Sequence, residues 1–159
     1  MHVAEDAITL DLVSKGRLIV GVGIGYQPTD FQAFAVPMEH RTALFEESVE
    51  IMRQCWTGEP FSFRGKHYTL ENVQIRPRAY QRPAPPLWIG ASVPSAVRRA
   101  GRLADAFVAT PSTNLTNTMA LVDTLDEQTT LERLLDEGKP PLPDGAQRLH
   151  YLLFTPFRY

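Results

Sequence analysis

Glycines at alternate positions mark the segment with the clearest potential for ligand binding. Gly21, Gly23 and Gly25 are spaced two apart, and Tyr26 follows directly. Alternate residues of a β-strand point to the same face, so these glycines would leave one face without side chains. A bare face lets a bulky group approach the backbone, and a planar organic cofactor is such a group. Tyr26 could then stack on the cofactor or form a hydrogen bond with it.

Two other interpretations of this glycine segment stay open. The glycines could relieve crowding in a tightly packed sheet, and Tyr26 could be an ordinary core or interface aromatic. The glycine-rich fingerprint of dinucleotide-binding folds is excluded, because that motif needs glycine at its sixth position and a helix directly afterwards. Here Tyr26 occupies the sixth position and Pro28 follows shortly after it.

A second candidate binding segment joins a predicted strand to a predicted helix. It contains Gly90, Ala91, Ser92 and Ser95, with Pro94 in the first turn of the helix. The backbone N–H groups at a helix start carry a partial positive charge and bind anions, so the phosphate of a cofactor would fit there. The alternative is that the two serines only cap the helix.

The other reactive residue types form no catalytic or metal-binding pattern. His40, His67 and His150 lack the spacing of metal ligands or of a catalytic triad, and we interpret them as surface or packing residues. Cys55 lies on the apolar stripe of a predicted helix, which favours an inert buried thiol. The arginines within 98–102 are interpreted as a solvated helix face. The sequence therefore predicts no metal site, and the catalytic residue stays unknown.

Hydrophobic periodicity predicts the elements that must position these segments. Helices are predicted over 3–13, over Pro37–Trp56 and from Pro94; strands over Leu18–Tyr26, Leu87–Ala91 and 105–110; a loop over 27–36; and a hairpin around Gly65. Leu18, Val20, Val22 and Ile24 are predicted to form the apolar face opposite the glycines. Alternating strands and helices imply a parallel sheet. Beyond residue 114 the pattern predicts a charged helix over 119–137, a proline-rich linker, and a strand from Leu149.

Composition excludes several classes of function. The 159 residues carry 16 basic and 18 acidic side chains, and the net charge of −2 shows no basic excess that would favour a nucleic-acid partner. No apolar run approaches the roughly 18 residues of a membrane-spanning helix. A single cysteine excludes an internal disulfide framework, and we expect a cytoplasmic location.

Residues 1 to about 114 resemble the luciferase-like monooxygenase family, which includes bacterial luciferase and many FMN- or F420-dependent oxidoreductases. The resemblance runs through the glycine segment, the helix that ends at Gly58, the hairpin glycine, and the stretch from Pro85 to Ser92. It implies a small organic substrate and either FMN or coenzyme F420 as cofactor. The cofactor-binding residues that it implies, together with the patterns above, are Gly21, Gly23, Gly25, Tyr26, Gly90, Ala91, Ser92 and Ser95.

The family fold is a (β/α)₈ TIM barrel, which needs roughly 250 residues. We therefore expect an α/β chain that forms an incomplete barrel over 1–114, followed by a helical and extended C-terminal appendage over 115–159. The chain starts within a predicted helix and stops abruptly after a predicted strand, as expected for a fragment. We expect this isolated chain to be inactive and to be capable of self-association through open sheet edges.

Residues 118–159 carry a different resemblance, to the leader of RES-domain proteins, which are NAD-degrading toxins. It rests mainly on the last eleven residues, from Leu149 to Tyr159. Two alternatives to the oxidoreductase fragment follow. The chain could be the lead-in of such a toxin, or it could be a non-functional chimeric product.

Overall fold

Four parallel strands form the main sheet, in the spatial order β5-β4-β1-β6. The computed structural model describes the backbone of residues 1–109 and 149–152, and the side chains of residues 1–108. The elements are α1 (His2–Ser14), β1 (Leu18–Val22), α2 (Pro28–Ala33), a short 3₁₀ turn (Met38–His40), α3 (Arg41–Thr57), β2 (Phe61–Arg64), β3 (Thr69–Val73), β4 (Leu87–Ala91), α4 (Pro94–Leu103), β5 (Ala106–Ala109) and β6 (Leu149–Leu152). Strands β2 and β3 form a separate antiparallel hairpin.

The main sheet presents two chemically different faces. Its helix-facing side is apolar and packs against α1 and α3, through Leu18, Val20, Val22, Leu87 and Ile89. Ile24 continues this side beyond β1, since it packs against the same core. Because side chains alternate along a strand, Gly21, Gly23, Trp88 and Gly90 fall on the opposite face. The predicted apolar face of Leu18, Val20, Val22 and Ile24 is thus confirmed, whereas Gly25 lies in a turn beyond β1.

Helix α3 supplies the largest share of the core. Phe45, Val49, Cys55 and Trp56 are almost completely buried, and the Trp56 indole N–H donates to the carbonyl oxygen of Ala4. Gly58 ends the helix with a φ of 74°, a left-handed conformation that glycine adopts without strain. The helix predicted over Pro37–Trp56 therefore exists, with its first turn in the 3₁₀ form.

A buried carboxylate fixes the segment that leads into β4. Asp11 of α1 is completely buried and accepts hydrogen bonds from the backbone N–H groups of Tyr80 and Gln81, at 2.8 and 2.9 Å. The Gln81 side-chain amide donates to Asp11 and also to the carbonyl oxygen of Leu18, at 2.8 Å each. Asp11 thus ties this segment to the amino end of β1.

A second carboxylate holds the hairpin against α3. Glu47 accepts hydrogen bonds from the backbone N–H groups of Lys66, His67 and Tyr68, at 2.7, 3.0 and 3.0 Å. Burial alone would raise the pKa of this carboxyl group. The three backbone hydrogen bonds and the nearby His67 outweigh burial and lower the pKa below its ordinary value of 4.5.

This lowered pKa makes the contribution of Glu47 to stability pH-dependent. A carboxyl group whose pKa is lower in the folded than in the unfolded state stabilises the fold above its unfolded pKa, and the contribution is lost as pH falls through the folded pKa. We expect Glu47→Gln to reduce the free energy of unfolding by about 1–2 kcal/mol at pH 7, because an amide NH₂ would face backbone donors. Urea denaturation should show this difference shrinking below about pH 4.5.

Glu50 provides the matched control, because it is exposed on the same helix. Glu50→Gln removes the same charge without touching the hairpin and should change stability by less than about 0.5 kcal/mol. A Glu47→Gln penalty that stayed constant from pH 7 to pH 3 would contradict the carboxylate interpretation.

The structure corrects three of the sequence predictions. Strand β1 ends at Val22 instead of Tyr26, because Gly25 takes a φ of 78° and turns the chain towards α2. Residues 27–36 were predicted as a loop but contain α2, whose buried Phe31 anchors it. Arg99 does not lie on a solvated face, since it is 15% exposed and donates to Glu46 at 2.9 Å. Arg102 reaches the same carboxylate at 3.3 Å.

The predicted C-terminal elements are described only in part. Strand β6 matches the strand predicted from Leu149 and pairs parallel with β1, with Leu18 opposite Leu149. The helix predicted over 119–137 lies outside the described residues. Strands β5 and β6 are the outer strands of the described sheet, and self-association through these edges stays a prediction.

Candidate functional site

The two candidate binding segments lie at the same edge of the sheet. Strands β1 and β4 are parallel neighbours, with Gly21 opposite Trp88 and Val22 opposite Ile89. Their carboxyl ends therefore meet, and Gly23 follows β1 where Gly90 and Ala91 complete β4. A Cβ atom built on Gly90 would lie 3.7 Å from the carbonyl oxygen of Val22, which shows how closely the two strand ends approach. We call this region the carboxyl edge.

The glycines of β1 differ from one another in what surrounds them. Gly21 is buried, whereas Gly23 is partly exposed and a Cβ atom added there would have no neighbour within 4 Å in the part of the chain that the structure describes. Crowding therefore does not explain Gly23, and its open side can receive a ligand. Gly25 has a structural reason of its own, because its φ is 78° and a Cβ atom would lie 3.1 Å from the Phe31 ring.

Tyr26 stands in solvent beside this opening. Its side chain is 76% exposed, so the interpretation as a core aromatic is wrong. Tyr26 lies on the short connection between β1 and α2, directly after the glycine segment. Its contact with a cofactor stays a prediction.

The start of α4 provides an anion-binding feature at the same edge. The residue at the N-cap is Val93, and no side chain caps this helix. Ser92 and Ser95 are both exposed, so the interpretation that they serve only as helix caps is wrong. The N–H groups of Ala96 and Val97 donate to the Val93 carbonyl oxygen, while Pro94 has no N–H group. The positive end of the helix therefore faces outwards without a compensating side chain.

Ala91 occupies a different position from the other candidates. Its side chain is buried and packs with Val97 of α4, on the helix-facing side of β4. Ala91 could therefore contact a ligand at the carboxyl edge only through its backbone. Gly90, by contrast, is partly exposed on the glycine face.

Trp88 is the residue of this region that the sequence interpretation missed. It lies opposite Gly21 in the β1–β4 pairing and is half-buried on the glycine face. The signal was present, because alternation in Leu87–Ala91 puts Trp88 on the same face as Gly90. The indole ring gives this face its aromatic wall.

No general acid or base stands out near the carboxyl edge among the described residues. His40 and His67 lie beside the start of α3 and the hairpin, with ring centroids 5.1 Å apart. Burial raises the pKa of the Cys55 thiol, which agrees with the predicted inert cysteine. Cofactor binding at the carboxyl edge stays a prediction, and the arrangement does not itself identify a proton donor.

The helices of the described residues were compared with the requirements of a membrane-spanning helix. No helix among them combines the length and the hydrophobicity needed to span a bilayer.

Comparison with known proteins identifies the fold and its family. A sequence model described as luciferase-like monooxygenase matches residues 1–133. The chain belongs to the luciferase-like monooxygenase family. The predicted domain boundary near residue 114 stays a prediction. The resemblance of residues 118–159 to RES-domain proteins finds no support in these comparisons.

Curated members of this luciferase-like family include close relatives of the chain. An F420-dependent glucose-6-phosphate dehydrogenase from Nakamurella multipartita is 38% identical over 112 residues, which cover 68% of this chain and 32% of the relative. A phthiodiolone/phenolphthiodiolone dimycocerosates ketoreductase from Mycobacterium kansasii is 32% identical over 107 residues, covering 66% of this chain and 29% of the relative. The chain thus spans about a third of the length of these relatives.

Solved structures of luciferase-like proteins confirm the expected partial barrel. The monooxygenase RslO1 from Streptomyces bottropensis superposes with a TM-score of 0.71 at 29% identity, over 79% of this chain and 39% of that one. The coenzyme F420-dependent tetrahydromethanopterin reductase from Methanopyrus kandleri gives a TM-score of 0.70 at 23% identity, over 79% and 40%, and supports the fold alone.

Proposed function

We propose that this chain forms the cofactor-binding part of an F420-dependent oxidoreductase that acts on a small organic substrate. The supporting observation is the parallel pairing of β1 with β4, which places the open side of Gly23 and the uncapped start of α4 at one edge. The cofactor F420 is preferred to FMN because it is named for several family relatives.

The described residues fit the two chemically distinct ends of such a cofactor. The flat ring needs a surface without side chains, and Gly23 and Gly90 offer one, bordered by Trp88. The phosphate needs donors and positive potential, and the start of α4 supplies both, with Ser92 and Ser95 as additional donors. These residues would bind and orient the cofactor.

The chemistry of the reaction would come from the bound cofactor, which transfers a hydride, while the protein provides position and shielding. Because the chain spans about a third of its curated relatives, we expect binding without turnover from this chain alone. Its small-molecule partner and cytoplasmic location belong to the same proposal.

A titration tests the proposal directly. The chain is titrated with F420 and, separately, with FMN, and binding is followed by the fluorescence of each cofactor. We expect saturable binding of F420 with one site per chain. Absence of binding by both cofactors would overturn the proposal, and consumption of NAD by the chain would favour the toxin alternative.

The phosphate end of the site can be tested with a variant that spares the fold. Ser95→Glu puts a negative charge in the first turn of α4, where it favours the helix by about 0.3–1 kcal/mol but repels a phosphate. We expect F420 affinity to fall at least about tenfold, which corresponds to about 1.4 kcal/mol. Isothermal titration calorimetry measures this change, and circular dichroism checks the fold.

Ser95→Gln is the matched control, since it has nearly the same shape without the charge. We expect its F420 affinity to stay much closer to that of the parent chain. Equal losses in the two variants would show that the position matters sterically and not through charge.

A further inference from the structure

Three large apolar side chains are exposed in the segments that leave the carboxyl edge. Tyr26 is 76% exposed, Phe34 is 39% exposed and Val93 is 51% exposed. Tyr26 follows β1, Phe34 ends α2, and Val93 follows β4. We call these three residues the apolar rim. Half of the large hydrophobic residues that are exposed in the described part of the chain therefore belong to this one region, the others being Met1, Val13 and Tyr80.

Val93 stabilises the start of α4 less than a capping residue would, so we expect its side chain to have another role. It occupies the N-cap of α4, where serine, threonine, aspartate or asparagine would stabilise the helix by accepting a backbone hydrogen bond. Valine cannot accept such a bond, and here its side chain does not gain burial in return. Val93 thus leaves the helix without a side-chain cap and exposes an apolar side chain beside the glycine face.

The two segments that form this edge contain no charged residue. Residues 18–29, which form β1 and the connection to α2, contain no acidic or basic residue, and neither do residues 83–97 around β4 and the start of α4. Charged residues flank both segments in the sequence, with Arg17 and Asp30 around the first and Arg82 and Arg98 around the second. An ionised substrate would lose hydration on entering this region without gaining a charged partner. The positive start of α4 is already assigned to the cofactor phosphate.

We infer that the apolar rim binds the body of an uncharged, apolar organic substrate and selects against phosphorylated or carboxylated compounds. This inference rests on the proposed function, because the cofactor ring on the glycine face forms the floor of the substrate site. Tyr26 then contacts substrate in addition to, or instead of, the cofactor. Sites of this kind combine apolar walls with few polar groups.

The test compares two probes that share the same ring system and differ in one phosphate group. The full chain is saturated with F420, and equilibrium dialysis measures its affinity for 2-naphthol and for 2-naphthyl phosphate. We expect the neutral probe to bind at least tenfold more tightly than the phosphate. Equal affinities, or tighter binding of the phosphate, would overturn the inference.

Two variants locate the binding. Tyr26→Ser should weaken 2-naphthol binding at least fivefold at saturating F420. Tyr80→Ser is the matched control, because Tyr80 is also an exposed tyrosine, 52% exposed, but its backbone is held by Asp11 near the amino end of β1. We expect Tyr80→Ser to leave 2-naphthol binding unchanged. Equal losses in both variants would place the probe outside the rim and would also overturn the inference.

The F420 titration made on the same samples separates the two proposals. If F420 binds but the neutral probe is not preferred, only the inference about the apolar rim is refuted. Failure of F420 to bind refutes the proposed function, and with it the inference that depends on it.

Discussion

Replacement of Asp11 by alanine is expected to lower the free energy of unfolding by about 3 kcal/mol, because it leaves buried hydrogen-bond donors without an acceptor. The carboxylate is completely buried and accepts three hydrogen bonds of 2.8–2.9 Å from Tyr80 and Gln81. Without it, the segment before β4 loses its attachment to α1. Urea denaturation followed by circular dichroism measures the change.

Two further variants at this helix make the Asp11 result specific. Asp11→Asn keeps one acceptor oxygen but turns an NH₂ group towards backbone or side-chain donors, and we expect a loss of about 2 kcal/mol. Asp6 is exposed on the same helix, so Asp6→Ala should cost less than about 0.5 kcal/mol. If Asp11→Ala lowered the free energy of unfolding as little as Asp6→Ala, the three hydrogen bonds would not contribute to stability.

Gly23→Leu is expected to abolish most cofactor binding without unfolding the protein. Among the described residues, no atom lies within 4 Å of a Cβ atom built at Gly23, so a side chain can be added there without backbone displacement. In the proposed complex, that same space is occupied by the cofactor ring. We expect F420 affinity to fall at least about a hundredfold, or about 2.7 kcal/mol. The thermal midpoint should stay the same or rise slightly, since φ at Gly23 is not positive and replacing glycine lowers the conformational entropy of the unfolded chain.

Gly65→Ala serves as the control, because it should lower stability and leave F420 affinity unchanged. A Cβ atom at Gly65 would overlap the Glu47 carboxylate that holds the hairpin, which is a sheet separate from the one that carries the glycine face. We expect this variant to lose stability, by about 1–3 kcal/mol, while the folded fraction binds F420 normally. Unchanged F420 affinity in a folded Gly23→Leu variant would refute the assignment of the glycine face to the cofactor.

Local pattern was enough to predict most elements near the site. Alternation correctly separated Leu18, Val20 and Val22 from the glycines, and the bounds of β4 agree with the prediction. Strand β1 was predicted too long because the apolar alternation continues to Ile24, whereas the backbone turns at Gly25. Side-chain periodicity reports which face a residue occupies, but it does not report where hydrogen bonding to a neighbouring strand stops.

Long-range contacts explain what the pattern did not predict. Asp11 appears in the sequence as an ordinary acidic residue on a helix, and its burial depends on backbone donors about seventy positions later. Arg99 was assigned to solvent for the same reason, since its partner Glu46 lies on α3. A charged residue is buried or exposed according to which groups the fold brings to it.

The amino-acid sequence by itself determined the alternating strands and helices, the glycine face and the serine-bearing start of α4, because these depend on residues within a few positions of one another. Only the tertiary structure decided that Gly23 and the start of α4 share an edge, that Val93 leaves the helix uncapped, and that Gly25 serves a turn. The shared edge arises from the pairing of β1 with β4 across some sixty-five residues of intervening chain, and no local preference encodes such a distance.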